Sequence, residues 1–125
     1  MGREPSVLVA IAAVTACTSA TAPSSDLITA RAGSQALDLK NNSPETVYYF
    51  VAERGALALL DFAICNEPSK CDSVAPGASR KVPYSGVIGY SSGSEEVVVF
   101  HWRLVAKAGG GYEHDTIRTL IVQLR

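Results

Sequence analysis

The chain has 125 residues, about one domain's worth, with 11 Lys and Arg against 12 Asp and Glu. That near-balance gives no overall electrostatic reason to expect nucleic acid or an acidic polymer as partner. Apolar residues make up 47%, which excludes a disordered chain, and three Cys are too few for a disulfide-dense mini-protein.

Residues 1–17 read MGREPSVLVAIAAVTAC, where Arg3 and the amino group make a short basic start, opposed by Glu4. Val7–Ala16 is a run of ten residues with no charge. As a helix it would span about 15 Å, half of a roughly 30 Å hydrocarbon core. It is too short to cross a membrane and has the length of the apolar segment of a secretory signal.

The end of the run is more specific. Val14-Thr15-Ala16-Cys17 resembles the lipobox of bacterial lipoproteins: an aliphatic residue, two small residues, then Cys. Small side chains suit a peptidase cutting beside a membrane, and the thiol accepts a diacylglyceryl unit. The resemblance implies that Cys17 becomes the mature N-terminus, acylated also on its amine by a fatty acid such as palmitate. Lipid burial is worth about 0.8 kcal/mol per CH₂, and two or more chains give stable anchoring. The implied location is the bacterial cell envelope. The next residue is Thr18, not the Asp that marks inner-membrane retention, which points to the outer membrane, on its periplasmic or surface face. The alternative is ordinary secretion with cleavage near Ala16, Ala20 or Ala22, in which Cys17 has no role. The expected organisation is a signal peptide over 1–16, a tether over 17–34 and one domain over 35–125. The early tether, rich in Ser, Thr, Ala and Pro, has little to bury, and about ten such residues reach roughly 15–20 Å.

An odd Cys count is awkward for an exported protein. If Cys17 carries lipid, Cys65 and Cys71 remain, separated by Asn-Glu-Pro-Ser-Lys. Asn66, Pro68 and Ser69 favour a turn, and an oxidising compartment would close a disulfide there. A ring this small adds roughly 2 kcal/mol on the chain-entropy account. Neither a metal nor a cofactor is expected. Two Cys cannot complete a tetrahedral zinc site, and His101 and His114 lack ligand spacing.

From Gln35 onward the pattern is period two, with turn residues at short intervals. Expected strands are Ala36–Lys40, Thr46–Val51, Leu57–Ile64, Arg80–Val82, Val87–Tyr90, Glu95–Val105 and Thr116–Leu124. Pro76-Gly77 suits a type II turn. Pro83 cannot donate to a ladder and places its strand at an edge. Gly109-Gly110-Gly111 marks a hairpin tip. About seven short antiparallel strands without helical period predict an all-β, immunoglobulin-like sandwich, with an open barrel as alternative. The stretch Leu37–Val47 and the Pro76-Gly77-x-Ser79 turn are similar to elements of bacterial Ig-like envelope domains.

Each candidate site has a plainer reading beside it. His101 shares a strand face with Arg103 and could act as a base oriented by Asp61. A half-exposed sheet histidine with a cross-strand partner is the favoured account. His114 and Asp115 are adjacent, so their side chains diverge and build no triad. No Gly-x-Ser-x-Gly elbow supplies a nucleophile. Val47–Val51 and Val97–Val105 are apolar on both faces, although a two-layer sandwich buries one face of each sheet. An outer face carrying Tyr49, Val51, Val97 and Val99 must therefore be covered by a loop, a partner or another copy; the hypothesis is a contact surface, and the alternative is coverage by the protein's own loops.

The leading expectation is a non-enzymatic interaction or structural module, held to a membrane through Cys17 and facing an envelope protein. The alternative is a small-ligand or polysaccharide module using Tyr84, Tyr90 and Tyr112. An enzyme built on Asp61, His101 and Arg103 ranks third.

Overall fold

The computed structural model describes residues 26–59 and 63–124. The signal segment, Cys17, the first part of the tether and Asp61 lie outside the described residues. Among the described residues nine strands occur in chain order: β1 (Ile28–Ala32), β2 (Ala36–Asn41), β3 (Val47–Glu53), β4 (Ser73–Val74), β5 (Ser79–Pro83), β6 (Glu96–Trp102), β7 (Leu104–Ala106), β8 (Tyr112–His114) and β9 (Arg118–Gln123). They form a three-stranded sheet, β1-β2-β5, and a four-stranded sheet, β4-β3-β6-β9, with β7 and β8 as a separate hairpin. Every pairing between these strands is antiparallel. The molecule is an all-β sandwich, as its period-two pattern predicts.

One apolar layer joins the sheets. Ile28, Leu37, Leu39 and Val82 from the first sheet meet Val47, Tyr49, Val51, Val74, Val97, Val99 and Val122 from the second. Valines and leucines suit this layer, because facing sheets stand only about 10 Å apart.

The expected contact face is overturned. Tyr49 and Val51 are 7% and 6% exposed, and Val97 and Val99 are 0% exposed, so all four belong to the core. The central strands are apolar on both sides and cannot choose a face alone. Their neighbours choose for them. In β9 and the residue after it, Leu120, Val122 and Leu124 form one apolar side, and the register sets Val97 opposite Val122 and Val99 opposite Leu120. In β4, Val74 opposes Val47. Directly opposed residues share a face, so the odd-numbered positions of β3 and β6 must turn inward.

Further differences are local. The expected tether reaches residue 34, yet Ile28–Ala32 is β1, paired along β2. Among its described residues the expected strand Leu57–Ile64 does not occur: Arg54–Leu59 winds as a 3₁₀ segment. Its start is fixed by the Glu53 carboxylate, which accepts the Ala56 amide at 2.8 Å, and its Leu and Ala content does not resist winding. Val87–Tyr90 is a turn whose Val87 is buried in the core and whose Ile88 bridges Ala52. The long strand Glu95–Val105 breaks at Arg103 into β6 and β7.

Turn chemistry agrees with expectation. Ala78 N–H donates to Ala75 O at 3.0 Å, with Gly77 at φ +71°, which closes the type II turn. β5, which ends at Pro83, is an edge strand. Gly110 and Gly111 take positive φ at the β7–β8 tip.

Asn41, at the end of β2, is fully buried and links the two sheets. Its Nδ2 donates to Glu45 O at 2.7 Å and to Val74 O at 2.9 Å, while Oδ1 accepts Ser43 N–H at 2.9 Å and Ser43 Oγ–H at 2.8 Å. An Asn here satisfies two donors and two acceptors where an apolar residue would orphan carbonyls. Asn41→Ala is expected to cost roughly 2–4 kcal/mol in urea unfolding. A loss under about 0.5 kcal/mol would show that these bonds are dispensable.

Candidate functional site

His101 is fully buried on the inner face of β6, not half-exposed as expected. Leu27 N–H donates to its Nε2 at 3.4 Å, and its Nδ1 lies 3.4 Å from Val99 O. An accepting Nε2 leaves the proton on Nδ1, so the ring is the neutral Nδ1–H tautomer. Burial pushes its pKa below the ordinary 6.5, despite the carboxylate of Asp26, whose Oδ1 lies 3.6 Å from Nε2. The ring has no edge open to a substrate, and its role is to tie the chain entering β1 to β6.

Arg103 does not share a site with His101. It sits at the break between β6 and β7, where Asp115 holds it. Asp115 Oδ1 accepts Arg103 N–H at 2.8 Å, and Oδ2 accepts Nε–H at 2.8 Å. Asp115 N–H returns a bond to Arg103 O at 3.0 Å. Arg118 Nη1 adds a contact to Oδ1 at 3.3 Å, and Glu45 approaches Arg103 Nη1 at 3.2 Å. Burial alone would raise the Asp115 pKa, but the Arg103 amide and the two guanidinium groups outweigh it and hold the carboxyl below its usual range. The cluster is a corner brace, with every Asp115 contact directed at its own chain. Exposed His114 beside it points its Nδ1 at the Asp115 carbonyl, 3.3 Å away, and builds no pair with the carboxylate, as the divergence of adjacent side chains predicts.

Cys65 and Cys71 form the expected disulfide. It closes a loop over one end of the four-stranded sheet's outer face, where Trp102 Nε1–H donates to Cys65 O at 3.1 Å. Trp102 is thereby buried. At the other end the 3₁₀ segment leans on the turn at Gly89, whose φ is +81°; a Cβ there would lie 2.3 Å from that of Ala56. Between these covers run Phe50 and Phe100, directly opposed across β3 and β6 with ring centroids 6.2 Å apart. Both are only half-buried, as is Tyr48, and Ile121 beside them on β9 is 46% exposed. This outer stripe is apolar and partly exposed.

The three tyrosines of the alternative do not form a groove. Tyr84 is buried, donates its hydroxyl to Gly33 O at 2.7 Å and stacks on Tyr90 with centroids 4.9 Å apart. Tyr112 belongs to the separate β7–β8 hairpin. Among the described residues, no group of three or more His, Cys, Asp or Glu is arranged to hold a metal ion.

Comparison of the chain with protein-family models, with curated proteins and with solved structures finds no match. Its own residues are therefore the whole basis for a functional reading. The alternation of Phe50, Phe100 and Trp102 carries the signal for the outer stripe, but period two alone does not say which side of a strand faces inward.

His101 and Asp115 titrate in separate windows. A histidine whose folded pKa lies below 6.5 contributes stability that is complete above that pH and declines as pH falls below it, because the unfolded chain gains the proton more readily. Asp115, depressed below the ordinary 3.8, supports the fold above that pH and is lost as pH falls through its lower folded value. Urea midpoints measured from pH 8 to pH 3 should fall in two stages, with Asp26, Asp115 and Arg118 setting the field around His101. His101→Gln should remove the upper stage and leave the lower. An unchanged upper stage in that variant would disprove the assignment.

Proposed function

We propose that the protein is a lipid-anchored, non-enzymatic interaction module of the bacterial envelope, held to the membrane through Cys17 and presenting the outer face of its four-stranded sheet to an envelope protein. The observation that carries the docking half is the stripe Tyr48, Phe50, Phe100 and Ile121, apolar and incompletely covered although the Cys65–Cys71 loop and the 3₁₀ segment take up both of its ends. Aromatic and β-branched side chains on a sheet face suit a flat protein partner, since they supply large contact area with few rotamers to freeze. The anchoring half rests on the lipobox residues Val14–Cys17, and the Cys65–Cys71 disulfide accords with an oxidising compartment. Buried His101 and the self-satisfied Arg103–Asp115 brace give an enzyme reading little to work with.

Two measurements test the two halves. Mass spectrometry of the mature protein should find an N-terminal Cys17 bearing a diacylglyceryl unit, and Cys17→Ser should release the chain from membranes. An unacylated product starting downstream of Cys17 would refute the anchor. A photocrosslinking residue at Ile121 should trap one discrete envelope protein, and Phe100→Asp should abolish that product while the β-sheet circular dichroism persists. Crosslinking that survives Phe100→Asp would remove the stripe from the interface.

A further inference from the structure

The outer face of the three-stranded sheet has the opposite chemistry. In register across its strands, Arg31, Asp38 and Lys81 form one row and Thr29, Lys40 and Ser79 the next. Lys40 therefore stands diagonal to both Arg31 and Lys81, a separation of about 7–8 Å. Three cations surround one carboxylate, and Asp38 is engaged by Lys81 at 2.8 Å. Among the described residues, Arg54, Lys70, Arg80, Lys81, Arg103 and Arg118 all lie within 4.0 Å of a carboxylate. Arg31 and Lys40 do not; both are exposed, and Lys40 reaches only the Gly77 carbonyl, at 3.4 Å. Lys107, the remaining described cation, stands apart near the β7–β8 tip. The twist of the sheet makes the surface around Arg31 and Lys40 an open groove of about 610 Å³. A chain with near-balanced charge has thus gathered three cations against one carboxylate on a single sheet face.

We infer that this face rests on an anionic membrane surface, with Arg31, Lys40 and Lys81 against lipid phosphates. Charge complementarity selects the occupant. The placement rests on the proposed anchor: ten residues separate Cys17 from Ile28, the first residue of β1, the edge strand that carries Arg31. A lipid on Cys17 would hold the body near the bilayer without orienting it. The cationic face supplies the orientation and turns the aromatic stripe of the other sheet away from the membrane, toward a partner. Each basic residue close to an anionic leaflet is worth about fivefold in partitioning, and the attraction falls within a Debye length.

The test uses the full chain carrying Cys17→Ser, so that no acyl group contributes. Sedimentation is compared on vesicles of phosphatidylcholine alone and of equal parts phosphatidylcholine and phosphatidylglycerol. The apolar run at residues 7–16 gives every variant the same background, and the difference between the two vesicles is what is read. Anionic vesicles should bind the chain at least about tenfold better at low salt, with the gain lost on adding salt. Arg31→Glu with Lys40→Glu should remove the gain, and Lys107→Glu, near the distant hairpin tip, should keep it. Equal binding to both vesicles, or a gain that survives the double reversal, would overturn the inference. So would retention of a soluble acidic polysaccharide without vesicle binding. None of these outcomes touches the Cys17 lipid, which is read separately by mass.

Discussion

The structure depends on one mismatch. β3 and β6 are apolar on both faces, but the three-stranded sheet can cover only one of them. Once Val47, Tyr49, Val51, Val97 and Val99 are committed to the layer between the sheets, the aromatic side of the same strands has to be covered by other means. The long connection from β3 to β4 does part of this work. Its 3₁₀ segment closes one end, its disulfide loop caps Trp102 at the other, and Phe50 and Phe100 between them are partly exposed.

Polar groups placed inside the sandwich act as pins. Asn41 ties β2 to β4, His101 receives the chain entering β1, and Asp115 gathers Arg103 and Arg118 at the corner where β6 stops. Asn41 and His101 join segments distant in sequence, and Asn41 and Asp115 are saturated with hydrogen bonds. A small sandwich is only marginally stable, so such saturated contacts count for a large share of the margin. They also account for the residues whose types suggest catalysis. A histidine and a carboxylate are needed here for joining strands.

The two outer surfaces divide the labour proposed for the molecule. One is aromatic and aliphatic, the other cationic, and the core lies between them. A body attached by a single N-terminal lipid could tumble on its tether. Opposed faces of different chemistry would give it a preferred attitude, with the charged side down and the apolar side presented.

Much of the fold is legible in the residues. Alternation, Pro76-Gly77, Pro83 and the triple glycine place turns, an edge and a hairpin where they occur, because turn geometry and proline chemistry act locally. The Cys65–Cys71 bridge is legible for the same reason, through a short turn between two sulfurs. The winding of Arg54–Leu59 is not, since Leu and Ala tolerate either state and the Glu53 carboxylate that captures the Ala56 amide tips the balance. Nor is the inward face of the central strands. Val97 and Val98, or Tyr48 and Tyr49, are equally plausible as core residues taken alone. Only pairing with the one-sided strands β9 and β4 distinguishes them, and that pairing joins residues far apart in the chain. Local residue chemistry thus settles that this is a β-sandwich with those turns and that bridge. Which side of each central strand is buried emerges only on assembly, because a strand's face is set by its neighbours.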